Sequence, residues 1–297
     1  MILKAAIWMI GAIASFTAMA IAGRAVSGTL NTFEIMLFRS IIGLAIVLVI
    51  STAFGTRHQI NANRIGLHFV RNAAHFTGQN FWFFALPLVP LTQLFALEFT
   101  TPLWVIILSP LILKERLTWI GVIAACLGFI GILLVARPEA GPLGAGFFAA
   151  ASCAVFFALT AILTRMLTRT DTITCIMFYL TLSQAIFGAL MLVIVPPIIG
   201  IFGLTVFGLD GSVTWPPLTI WPWVVLIGIA GLLAHFCLTT ALSLAPASIV
   251  MPIDFVRLPL IAVIGMVFYA EPISIFVLFG AVLIFGANYL NITRGAR

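Results

Sequence analysis

The side chains that could do chemistry are few here, and they interrupt long apolar runs at regular spacing. Arg71, His75, Gln79 and Trp82 stand at i, i+4, i+8 and i+11, which puts them on one face of a helix. Glu98 and Thr101 share a second such face, beside Phe99 and Trp104, with Pro102 and Pro110 breaking the backbone ladder. His235 and Thr239 repeat the i, i+4 pattern, and Asp254 lies three residues before Arg257, between Pro252 and Pro259. Imidazoles, carboxylates and an amide in this setting can hydrogen-bond a polar ligand. Glu98 and His75 are also candidates to carry a proton along with it.

The elements that hold these residues must be membrane helices. The chain has 297 residues, 63% of them hydrophobic and 7% charged, against about 25% charged in soluble proteins. So few charges cannot cover a water-facing surface of this size, which excludes a soluble enzyme and a nucleic-acid binder despite the net charge of +6. Ten apolar stretches have the length to cross a bilayer: 3–23, 32–53, 66–86, 91–113, 118–136, 144–164, 173–195, 221–242, 248–269 and 273–292. The first carries Lys4 and a cleavage-like Ala18-Met19-Ala20, but nine further spans argue for a retained segment rather than a signal peptide. The Gly-, Pro- and Trp-rich connector near 196–220 is apolar enough in part to dip into the interface. With the N-terminus in the cytoplasm, inside loops and ends carry nine Lys or Arg and outside loops two, Arg24 and Arg137. This bias places both termini in the cytoplasm of an inner-membrane protein, with Trp119, Trp221 and Trp223 as interfacial anchors.

The chain also repeats. Residues 90–137 align with 246–293 at an offset of 156, setting Glu98 on Asp254, Phe99 on Phe255 and Glu115 on Glu271. Ala74-His75-Phe76 echoes Ala234-His235-Phe236 at an offset of 160. The expected architecture is therefore all-α and membrane-integral, with ten transmembrane helices in two five-helix repeats, 1–137 and 144–297. Five is odd, so the second copy enters the membrane upside down, an arrangement that suits alternating access. Together with Leu113-Lys114-Glu115-Arg116-Leu117-Thr118, Tyr269-Ala270-Glu271-Pro272, Arg39 in Leu37-Phe38-Arg39-Ser40, and Arg71, these features resemble the drug/metabolite transporter superfamily, EamA type. Members often carry Gly before the acid where this chain has Lys114 and Ala270. The resemblance implies export or exchange of small metabolites, without fixing the cargo.

The expected substrate-binding residues are His75, Gln79, Trp82, Glu98, Phe99, His235 and Asp254, with Glu98 and His75 as proton-coupling candidates. Arg39, Arg71, Glu115, Arg257 and Glu271 are read as structural, the two glutamates because a carboxylate favours a helix N-terminus. A packing role competes for the acids as well: Asp254 pairs with Arg257, and Glu98 is satisfied by Arg71 or Arg39. Of Phe81-Trp82-Phe83-Phe84 only one or two can face a cavity, and Trp82 is favoured by its register with His75. Stripes of small residues, Gly146-Ala150-Ala154-Ala158 and Ala14-Ala18-Ala22, allow close helix approach. His58 and His68 stand alone near a connector, as solvent or interface residues.

Cys126, Cys153, Cys175 and Cys237 sit singly in apolar runs without a CxxC, as small hydrophobes rather than a disulfide or zinc set. No nucleotide loop, HExxH or GxSxG is present, so no cofactor, metal or enzymatic activity is expected. The reading is a secondary carrier of a small amphiphilic metabolite, with amino acids, aromatic ones included, as first guess and export as direction. A proton-independent facilitator, an importer of another metabolite, a channel and an intramembrane enzyme are the alternatives. The partners are the small-molecule substrate and membrane lipid, with no nucleic acid; monomer and homodimer stay open.

Overall fold

The computed structural model describes residues 1–89, 91–114, 118–136, 144–202, 215–260, 263 and 275–294. The described residues form helices and connecting turns, with no strand among them. In chain order the helices are α1 (Ile2–Val26), α2 (Thr32–Ala53), α3 (Ile65–Ala85), α4 (Leu91–Glu98), α5 (Thr101–Ile112), α6 (Trp119–Ala136), α7 (Ala145–Leu167), α8 (Ile173–Phe202), α9 (Trp221–Leu244), α10 (Ala247–Val250) and α11 (Ile275–Arg294). Single 3-10 turns occupy Arg57–Gln59 and Met251–Val256. Six stretches are long and apolar enough to span a bilayer: α1, α2, Leu94–Ile112, α7, Ile173–Ile194 and α9. Apolar stretches in α6 and α11 are shorter.

Helix α3 has a spanning length of 21 residues but not the matching apolarity. It carries Arg71, Asn72, His75, Gln79 and Asn80, and all five are buried. Large aliphatic and aromatic side chains face outward on the other helices, Val282 at 73% exposure and Leu111 at 74% among them. The polar groups are inside and the apolar ones outside, as lipid solvent requires.

Four helix pairs make the most extensive contacts: α1 with α9, α3 with α7, α2 with α8, and α6 with α11. Close approach depends on small residues. At Gly78 an added Cβ would lie 2.9 Å from Phe157 Cδ1 on α7, and at Gly188 it would lie 3.2 Å from the Leu37 backbone on α2. The stripe Gly146, Ala150, Ala154 and Ala158 is buried along α7, as its spacing predicts, whereas Ala14 of the other stripe is exposed. The N-terminus of α2 is fixed by a capping box. Asn31 Oδ1 accepts from the amides of Phe33 and Glu34, and the Glu34 carboxylate accepts from the Asn31 amide at 2.8 Å.

The fourth stretch departs from the single helix expected over 91–113. It divides into α4 and α5 at Phe99 and Thr100. Pro102 has no N–H to offer the carbonyl four residues back, which is that of Glu98. The Thr101 hydroxyl donates to that carbonyl instead, at 2.6 Å. The ninth stretch is broken too: α10 gives way to the 3-10 turn holding Pro252 and Asp254 before α-helix resumes at 257–260. Helix α8 runs past the expected end at 195, through Pro196 and Pro197 to Phe202. Lys114 ends α5 at φ 54°, the left-handed region. Glycine adopts that conformation without strain, which accounts for its frequency at this position in the resembled family. Glu115 and Glu271 lie outside the described residues.

All four cysteines are free thiols, Cys126 exposed and the others buried.

Candidate substrate-binding cavity

The polar face of α3 looks into a cavity of about 70 Å³ at the centre of the helices. That is room for a few water molecules, well short of the several hundred Å³ that enclose a metabolite. All seven residues picked out as ligand-binding, His75, Gln79, Trp82, Glu98, Phe99, His235 and Asp254, line this one space. They come from α3, the α4–α5 break, α9 and the 3-10 turn.

Two constellations organise it. In the first, His75 and His235 meet edge to face, ring centroids 4.4 Å apart. Phe16 of α1 stands against His235 at 5.4 Å. Among the described residues neither nitrogen of His235 has a hydrogen-bond partner, nor does His75 Nε2. In the second, the Arg257 guanidinium bridges two acids, bonding Glu98 and, at 2.9 Å, Asp254 Oδ2. The other Glu98 oxygen accepts from the Trp82 indole N–H at 2.6 Å. Three rings, Phe16, Phe95 and Phe99, flank the same guanidinium at 4.9 to 5.4 Å, a cation–π enclosure. The break after Glu98 lets its carboxylate and the Phe99 ring reach the centre from one short segment.

The Asp254–Arg257 pair expected from the i, i+3 spacing is present. The expected partners of Glu98 are not: neither Arg71 nor Arg39 meets it. Arg71 donates from Nε to Thr164 Oγ1 at 2.9 Å and from Nη1 to Asn72 Oδ1 at 2.8 Å. Arg39 bonds the Gln79 side-chain oxygen, its guanidinium lying over Gly231, where a Cβ would come within 2.9 Å of Nη2. The helix order explains the change of partner, since the 3-10 turn that leads into Arg257 is packed against α1, α5, α6 and α11.

Sequence reasoning missed several contributors. Thr160 and Thr164 of α7 line the cavity, and no titratable residue at helical spacing flagged them. Arg71 was read as packing and also lines it. His68, expected near solvent, is 2% exposed and bonds Asp171 at 3.2 Å, because the α7–α8 connector folds over the start of α3. His58 is exposed as expected. Among the described residues no group of three His, Cys, Asp or Glu side chains could hold a metal ion.

Comparison with known proteins bears on what such a cavity serves. The EamA-like transporter family profile matches residues 3–137. A riboflavin transporter of Brucella anthropi is 30% identical over 254 residues, 86% of this chain and 85% of that one. A riboflavin transporter of Vibrio cholerae is 25% identical over 89% of this chain and 84% of its own length. An S-adenosylmethionine uptake transporter of Rickettsia felis is 22% identical over 95% and 90%. One protein crystal structure superposes with a TM-score of 0.77 at 21% identity, covering 99% of this chain and 98% of that one, a likeness of fold. With a buried polar cavity among lipid-facing helices and relatives of this kind across most of its length, the chain belongs to the EamA-like transporters of the drug/metabolite superfamily: a multi-pass membrane carrier of small metabolites, and not an enzyme.

Proposed function

We propose that the protein is an inner-membrane uptake carrier for a small heteroaromatic metabolite, with riboflavin and S-adenosylmethionine as the first cargoes to test. The sequence pointed to amino acids moving outward. None of the relatives described above is an amino-acid exporter by name; one is named for uptake of S-adenosylmethionine and two for riboflavin, and both compounds contain a fused heteroaromatic ring. One observation carries the reading. Of nine buried side-chain polar atoms without a hydrogen-bond partner among the described residues, five belong to residues lining the central cavity: His75 Nε2, His235 Nδ1 and Nε2, Asp254 Oδ1 and Arg257 Nε. Buried polar groups are nearly always satisfied, so a set converging on one space calls for a ligand with both donors and acceptors, as a heteroaromatic ring provides.

Alternating access would work through ten spans in two inverted halves. Exchanging each helix of the first half for its counterpart in the second turns the α1–α9 pairing into α7–α3 and returns α2–α8 and α6–α11 to themselves. That self-consistency supports a pseudo-two-fold relation, and the excess of inside Lys and Arg supports cytoplasmic termini. Purified protein in liposomes should take up labelled riboflavin or S-adenosylmethionine with saturable kinetics, competed by the unlabelled compound. Flux that rises linearly with concentration would indicate a pore, and no flux with either compound would remove the heteroaromatic reading.

A further inference from the structure

The charges around the cavity do not balance, and their placement is uneven. At the α4–α5 break two carboxylates, Glu98 and Asp254, share one guanidinium, Arg257, so that end is acidic by one charge when all are ionised. Asp254 Oδ1 has no partner there. Arg71 is 2% exposed, lines the same cavity, and has no carboxylate partner among the described residues. Its two hydrogen bonds among the described residues go to a neutral hydroxyl and a neutral amide oxygen. The acid beyond it, Asp171, is bonded to His68. Along α3, Arg71 and Trp82 (which bonds Glu98) are separated by eleven residues, about 16 Å at helical rise. The cavity therefore has Arg71 toward one end and the Glu98–Arg257–Asp254 cluster at the other, with the two imidazoles between them and Arg39, also without a carboxylate partner among the described residues, bonded behind Gln79.

An isolated guanidinium in a low-dielectric interior is costly unless something of opposite sign meets it. A carboxylate fits its planar fork better than any neutral group does. We propose that Arg71 is a specificity-determining residue that docks a carboxylate of the cargo, while the unpartnered Asp254 Oδ1 receives a cationic group at the other end. This rests on the heteroaromatic-uptake reading and narrows it: the preferred cargo carries both a carboxylate and a cationic group.

Three compounds isolate the charges: S-adenosylmethionine, its decarboxylated form, and S-adenosylhomocysteine, which lacks the sulfonium charge. Binding to the purified full chain is read by thermal shift and equilibrium dialysis. Loss of the carboxylate should weaken binding at least tenfold in the wild type and less than threefold in Arg71→Gln. Arg71→Lys keeps the charge and should retain most of the preference. Loss of the sulfonium charge should matter more in the wild type than in Asp254→Asn. Equal affinity of the wild type for S-adenosylmethionine and its decarboxylated form overturns the proposal, whether or not the variants fold. Saturable riboflavin uptake without any carboxylate preference would leave the transport reading standing and sink this one. A carboxylate preference without uptake would do the reverse.

Discussion

Arg257 is the side chain on which the two acids of the site depend. Its planar fork reaches Glu98 and Asp254 together, from residues 159 and three positions away in sequence. Removing one partner of a buried ion cluster leaves the others uncompensated, at a cost of about 3–5 kcal/mol. Arg257→Met should therefore lower the melting temperature of the detergent-solubilised protein sharply, and Arg257→Met combined with Glu98→Gln and Asp254→Asn should recover much of the loss. A single variant as stable as wild type would mean that the acids are neutralised elsewhere. If Glu98 relays a proton, Glu98→Gln keeps the Trp82 contact but abolishes any dependence of uptake on an imposed pH gradient. An unchanged gradient response would take that role from Glu98. The sequence made Asp254–Arg257 legible because the pair is local. It could not supply the partner of Glu98, because three buried arginines were available and only the helix order selects among them.

Helix α3 is the element that turns a lipid-soluble chain into a polar cavity. Its register was readable directly, since Arg71, His75, Gln79 and Trp82 follow the helical period and all four line the space. The break that delivers Glu98 was not. Pro102 was visible, but the substitute donor, the Thr101 hydroxyl on the Glu98 carbonyl, is a tertiary-scale detail that one proline alone does not specify. What holds α3 in place is its contact with α7, where Gly78 lies against Phe156 and Phe157. Phe157 lines the cavity from the other side. Gly78→Val should force that ring aside and destabilise the protein by about 1–3 kcal/mol, the usual cost of overpacking. Adding Phe157→Ala should restore part of it, measured as a double-mutant cycle in thermal stability. Additive losses would show that the two residues do not touch in the membrane.

At the scale of the whole molecule, the pairing of α1 with α9 and of α3 with α7 interleaves the halves, so neither half can enclose the cavity alone. His75 and His235, which the sequence repeat aligns only with a shifted offset, meet edge to face at the centre. Such a meeting is what a rotation axis near the cavity requires of equivalent residues. The proposed pseudo-two-fold axis has a consequence for topology. If it lies in the membrane plane, the segments following the fourth and ninth spans emerge on opposite sides, and inward- and outward-open states are of nearly equal energy. With the native cysteines replaced by alanine, single cysteines at positions 115 and 271 test this. A membrane-impermeant maleimide applied to intact cells should label 271, and inverted vesicles should expose 115. Labelling of both from one side would place the axis along the membrane normal, leave the two halves parallel, and remove the basis for alternating access between equivalent states.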